Sequence, residues 1–295
     1  MIPIGQRPQR TLARSVSVAG RGIVTGVEVS IRFQPAPANT GVVFQRTDLP
    51  GAKPIPALAS SVTDTNRRTT LGSGSNSVTL VEHVLAALAG MRIDNCVIEI
   101  DGPEPPGLDG SALGFVLALL EGGVVLQSAK RQRWMVVEPL VLRQGGVTLS
   151  MYPVRDGELR ISYLLDYGVH APIAPQAHTE TVTPDSFQHE LADSRTFMLE
   201  REAHDLQKAG VGKHLNSGEL IVFGRQGPID NLLRHPDEPA RHKILDLIGD
   251  LSLSGLDVAG HVVAYRSGHP LNVELARTLS RSVRADSFHS MLKAA

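Results

Sequence analysis

Residues 27–33 alternate apolar and polar side chains, with Val27, Val29, Ile31 and Phe33 on one face, which is the period of a half-buried strand. The Pro- and Gly-bearing stretch 35–41 predicts a turn, and 41–47 a second strand. Over 78–91 the spacing becomes helical, with Leu80, Val84, Leu88 and Met91 on one stripe. A short strand is expected at 96–100, then a Pro/Gly turn over 102–111 and a second helix over about 112–121. The polar, basic run 127–133 breaks this pattern. It divides the chain into an N-terminal domain (1–127), a linker (128–133) and a C-terminal domain (134–295).

In the second half, strands are expected at 134–143, 147–152 and 159–165. A helix over 193–209 would close at Gly210. Another would begin at Pro239 behind Asp237 and Glu238, where acidic side chains suit the N-terminal dipole. A strand at 260–266, a turn at Ser267-Gly268 and a helix from about 272 complete the chain. The halves echo one another: His83 precedes Gly90 by seven residues, and His242 precedes Gly249 by seven, each on a helix followed by a strand. This order predicts an α+β fold of two similar domains, each a helix layer on a sheet, with the two His-bearing helices facing each other across a site.

Composition narrows the class. The chain has 295 residues, 42% apolar, enough for two hydrophobic cores. Its 29 basic and 30 acidic residues and 4% aromatics argue against nucleic-acid binding. One cysteine, Cys96, allows no internal disulfide and no cysteine-based zinc site. Residues 1–15 carry arginines without a following apolar stretch, unlike a secretory signal, and the longest apolar run, 114–120, is too short to span a bilayer. A cytoplasmic protein without stable membrane insertion is expected.

The candidate chemistry centres on four segments. His242 and Asp246 are four apart, so on a helix they share a face and can converge on a metal; a surface His–Asp pair has the same spacing. Asp250 continues that face and Lys243 adjoins it, on a helix otherwise built from Ile244, Leu245, Leu247, Ile248 and Leu251. A carboxylate buried there would need a cation or donors. Glu82 can be read as the partner of Thr79 in a capping box, and His83 as a core histidine. Alternatively His83 completes a two-His, one-Asp zinc site and Glu82 takes a proton from its water. His269 sits in a Ser-Gly-His-Pro turn, exposed if idle, or a general acid held protonated by Asp250. Residues 194–197 would open a helix capped by Asp193 or Ser194. The glycines form no dinucleotide or P-loop signature.

Taken together, QRTLARSV, GRGIVTG, PAPANTGVVFQRTDL, TLVEHVLAALAGMRIDN, PGLDGSALGFV, SRTF, DEPARHKILDLIGDL and YRSGHPLN resemble, in order, the bacterial UDP-3-O-acyl-N-acetylglucosamine deacetylases. These are zinc amidases of lipid A synthesis in Gram-negative-type bacteria. The resemblance implies one Zn2+ per chain on His83, His242 and Asp246. It implies Glu82 as general base, His269 as general acid oriented by Asp250, and Thr196 as donor to the oxyanion. Lys243 and Lys213 would contact the UDP-linked acylated amino sugar, and Phe197 would line the acyl passage. It also implies two similar α+β domains with the site at their interface, in a cytoplasmic monomer. The chain departs from the family pattern at Leu80, at Glu202, and after Lys213, where His214-Leu215-Asn216 stands in place of Gly-Gly-Ser. That last difference motivates the alternative of a zinc deacetylase for another N-acetylated sugar. A non-catalytic sugar-nucleotide binder would require a damaged catalytic position, and none is seen.

Overall fold

The computed structural model describes residues 1–208, 210, 212 and 218–294, with side chains described as far as residue 283. The first half runs through β1 (Ile2–Leu12), β2 (Val16–Arg21), β3 (Glu28–Pro35), β4 (Val42–Arg46) and β5 (Ile55–Pro56). A small antiparallel sheet of β6 (Val62–Asp64), β7 (Thr70–Ser73) and β8 (Asn76–Val78) leads into α1 (Glu82–Gly90), β9 (Cys96–Ile100) and α2 (Leu113–Gly122). The second half contains β10 (Val124–Met135), β11 (Leu140–Gln144), β12 (Val147–Tyr152), β13 (Leu159–Leu165) and β14 (Gln176–Thr181). A short α3 (Pro184–Ser186) continues as a π-helical turn, followed by β15 (Phe197–Leu199), α4 (Glu200–Lys208), β16 (Ile221–Gly224) and β17 (Gly227–Pro228). The chain then forms α5 (Glu238–Ser252), β18 (Asp257–Tyr265) and α6 (His269–Ala294).

This is a mixed α+β architecture, and its two main sheets share a pairing order. In the first, β2-β3-β9-β4-β5 pair antiparallel, antiparallel, parallel and antiparallel. In the second, β11-β12-β18-β13-β14 do the same. Each central parallel strand, β9 or β18, follows a helix, α1 or α5, and these two helices pack against each other. Their close approach requires glycine at Gly249, where a methyl group would collide with the backbone carbonyl of Glu82. Among the described residues no helix is long and apolar enough to cross a membrane.

Several expected elements differ. Val29, Ile31 and Phe33 form the buried face of β3, but Val27 lies before the strand and is 52% exposed. The helix expected over 78–91 begins only at Glu82, because Val78 ends β8 opposite Leu71 and Leu80 takes a left-handed φ of 55°. Residues 128–133 are strand: β10 pairs with β1 along its length and reaches β18. Its arginines are neutralised across strands, Arg131 by Asp94 and Arg133 by Asp257 and Glu158. The expected strand 134–143 is divided between β10 and β11 around Glu138-Pro139. The helix expected from 193 starts at 200. Residues 197–199 instead pair with 221–223, and Arg195 is drawn onto the fully buried carboxylate of Glu238 at 2.8 Å. The last helix begins at His269 rather than 272.

Candidate active site

Helix α5 supplies one wall. One helical turn brings His242 and Asp246 together, and Asp246 Oδ1 lies 3.4 Å from His242 Nε2. The N-terminus of α1, pressed onto α5 at Gly249, brings His83 Nε2 to 3.5 Å from the same oxygen. The two imidazoles stand edge to face with centroids 5.0 Å apart. One donor atom from each of the three residues lies within 4.8 Å of the others, and all three side chains are buried.

The chemistry of this set fits a metal ion. His242 Nδ1 faces the Ser194 carbonyl at 3.0 Å; a carbonyl only accepts, so Nδ1 carries the proton and Nε2 keeps its lone pair. Burial, aided by His83 and Lys243, pushes the His242 ring down to about 4, leaving it neutral at pH 7. Burial would raise Asp246, yet His242 and Lys243 hold it well below the usual carboxylate range. Lys243 Nζ donates to Asp246 Oδ2 at 2.5 Å, leaving Oδ1 facing the imidazoles. Two imidazoles and a carboxylate are a common three-residue set for zinc with a remaining open position.

Beside this set lie a buried imidazole, His269, and a buried carboxyl group, Glu82. His269 opens α6 and is 6% exposed, so the exposed-turn reading does not hold. Its Nδ1 donates to Asp250 Oδ2 at 2.8 Å, and its Nε2 is 3.9 Å from Glu82 Oε1. Burial opposes a charged ring, but Asp250 and Glu82 outweigh it and raise His269 to about 9. Burial lifts the Glu82 carboxyl above the ordinary range, against the pull of His269 and His83. The capping box is not formed: Glu82 Oε2 accepts from the Thr69 amide at 3.0 Å, while Thr79 Oγ1 bonds to Arg68 and Thr70.

Glu82, His83, Thr196, Lys243, Asp246 and His269 all line one cavity of about 1080 Å³. Phe197, also on its wall, packs edge to face on His242 and Phe223 with centroids 6.1 Å away in each case. Asp250 lies behind the cavity wall, fully buried. Lys213 lies outside the described residues. Sequence reasoning missed the supporting layer: Thr69, Asn272, the Ser194 carbonyl, and Tyr163, whose hydroxyl donates to the Ser267 carbonyl ahead of His269. Isolated polar residues, whether in loops (Thr69, Ser194) or within β13 (Tyr163) and α6 (Asn272), carry no periodic signal, so nothing in the sequence marks them.

Residues 9–281 match a family model described as UDP-3-O-acyl N-acetylglycosamine deacetylase. The chain is 41% identical over 276 residues to the UDP-3-O-acyl-N-acetylglucosamine deacetylase of Nostoc sp., covering 92% of this chain and 98% of that protein. It is 41% identical over 278 residues to the protein of that name from Chlamydia abortus, covering 93% and 97%. The match to the bifunctional enzyme LpxC/FabZ of Chlorobaculum tepidum is 36% identical and covers 92% of this chain but 64% of the longer protein.

Proposed function

Because the chain belongs to the UDP-3-O-acyl N-acetylglycosamine deacetylase family, we propose that it hydrolyses the acetamide of UDP-3-O-acyl-N-acetylglucosamine, an early step of lipid A biosynthesis. The observation that carries this reading is the meeting, on one cavity, of a buried two-His, one-Asp donor set with Glu82 and His269. In this reading His83, His242 and Asp246 hold one Zn2+, which when bound supplies Lewis acidity to the attacking water and the amide carbonyl.

The residues then divide the proton work. Glu82 accepts the proton of the water as its oxygen bonds to the acetyl carbon; burial makes this carboxylate a stronger base than an exposed one. Thr196 donates a hydrogen bond to the developing oxyanion, a contact worth on the order of 3 kcal/mol. His269, charged at neutral pH and held by Asp250, gives its proton to the sugar nitrogen as the C–N bond breaks. Acetate and the free amine leave. An amine departs poorly unless protonated, which is why the site needs an acid as well as a base. Lys243 orients Asp246 and contacts substrate, and Phe197 lines the path of the acyl chain.

The shared pairing order of the two sheets supports reading the fold as an internal duplication, divided as 1–127 and 134–295 with 128–133 connecting them. The site then lies between halves, α1 bringing Glu82 and His83, α5 His242, Lys243, Asp246 and Asp250, α6 His269, and the segment entering β15 Thr196 and Phe197. A cytoplasmic monomer acting on this small-molecule substrate completes the reading. The test is release of free amine from UDP-3-O-acyl-N-acetylglucosamine, compared with UDP-N-acetylglucosamine and other N-acetylated sugar nucleotides. Turnover confined to the acylated substrate supports the reading; faster turnover of a different acetylated sugar overturns it.

A further inference from the structure

Thr69 is wholly buried in the turn ahead of β7, and both of its polar groups are committed to the site. Its backbone N–H donates to Glu82 Oε2 at 3.0 Å, and its hydroxyl donates to Asp250 Oδ1 at 2.6 Å. The second bond joins residues 181 apart in sequence and crosses from the first half of the chain to α5. We infer that Thr69 is a positioning residue for proton transfer, fixing the general base with its amide and the orienter of the general acid with its hydroxyl. This rests on the reading of Glu82 and His269 as base and acid.

The geometry leaves each carboxylate one task. Asp250 Oδ2 accepts from His269 Nδ1 at 2.8 Å and from Asn272 Nδ2 at 3.0 Å, so Oδ1 is the oxygen left for Thr69. A fully buried carboxylate with an unsatisfied oxygen would rotate toward another donor, or draw the Nδ1 proton away from His269. The Thr69 hydroxyl removes both alternatives and keeps Oδ2 on the imidazole. At Glu82, the amide occupies Oε2, so Oε1 is the oxygen turned toward His269 Nε2 at 3.9 Å. One residue thereby sets the separation of base and acid. The two effects are separable, since substituting the side chain removes only the hydroxyl.

Four zinc-loaded full-length proteins test this: wild type, Thr69→Val, Asp250→Ala and the double variant, with Thr69→Ser as rescue. Thr69→Val is expected to lower kcat about tenfold, with KM changed less than about twofold and zinc content equal to wild type, since it touches orientation and neither binding nor metal. Thr69→Ser recovers most of the rate. In the Asp250→Ala background the same valine adds less than about a twofold loss, because its effect runs through Asp250. Wild-type kcat in Thr69→Val overturns the inference, as does a loss of equal size in both backgrounds. Should the valine variant not fold, Thr69→Ala removes the same hydroxyl and takes its place in the cycle. If Asp250→Ala and Glu82→Gln lose turnover while Thr69→Val does not, only the role of Thr69 falls. If those two keep wild-type turnover, the acid–base reading beneath it falls as well.

Discussion

His269 Nδ1 lies 2.8 Å from Asp250 Oδ2, sealed in the protein interior, and this pair sets the protonation state of the site. Burial alone would favour the neutral ring, but Asp250 and Glu82 lift it from 6.5 to about 9. A group raised in this way stays charged through neutral pH and loses its proton only as pH passes the raised value.

The first prediction follows from that sign. If His269 must be protonated, kcat is flat through neutral pH and falls above about pH 9. Asp250→Asn removes the leading attraction and moves the fall to lower pH. A kcat–pH profile of both proteins at constant zinc content checks this; an unmoved break contradicts it.

Glu82 and the metal set are separable. Glu82→Gln keeps the shape of the side chain and touches none of the three donors, so zinc content stays at wild-type level while turnover falls at least about 100-fold. Metal analysis beside initial rates checks it. A variant with near-normal rate would make Glu82 a structural carboxylate after all.

His242→Ala removes a donor whose Nδ1 is already fixed by Ser194. The variant is expected to lose stoichiometric zinc and all measurable turnover, with free zinc restoring little of either. Retention of one tightly held zinc per chain would place the metal elsewhere.

Gly249→Ala inserts a methyl group into the Glu82 backbone and must push α1 from α5. The expected cost is about 2 kcal/mol of stability together with a marked loss of turnover. Gly268→Ala is the control, since its methyl meets nothing nearer than Pro270 at 3.9 Å. Thermal denaturation of the two variants checks the contrast.

Much of this was legible before the structure. The apolar spacing of α1 and α5 and the i, i+4 pair His242–Asp246 are local signals, and they sit close to where periodicity put them. The helix expected from 193 failed for the opposite reason. Phe197–Leu199 is strand because it pairs with Ile221–Phe223, and Arg195 is extended because Glu238 holds it. Neither partner is visible from the local pattern. β1 and β10 were overlooked because this ribbon is polar, its arginines neutralised by acids distant in sequence. Within the site, the convergence of His83 on α5 was signalled by the repeated seven-residue His-to-Gly spacing and by the family resemblance, and Thr69 left no trace at all.

Acetate release reads out metal-dependent deacetylation at the His83–His242–Asp246 set. The purified protein is given UDP-3-O-acyl-N-acetylglucosamine untreated, after chelation, and after restoring one equivalent of zinc. The expected result is turnover, its loss on chelation, and its return with zinc. Turnover that survives complete removal of metal would contradict it, as would a fully zinc-loaded protein that releases no acetate.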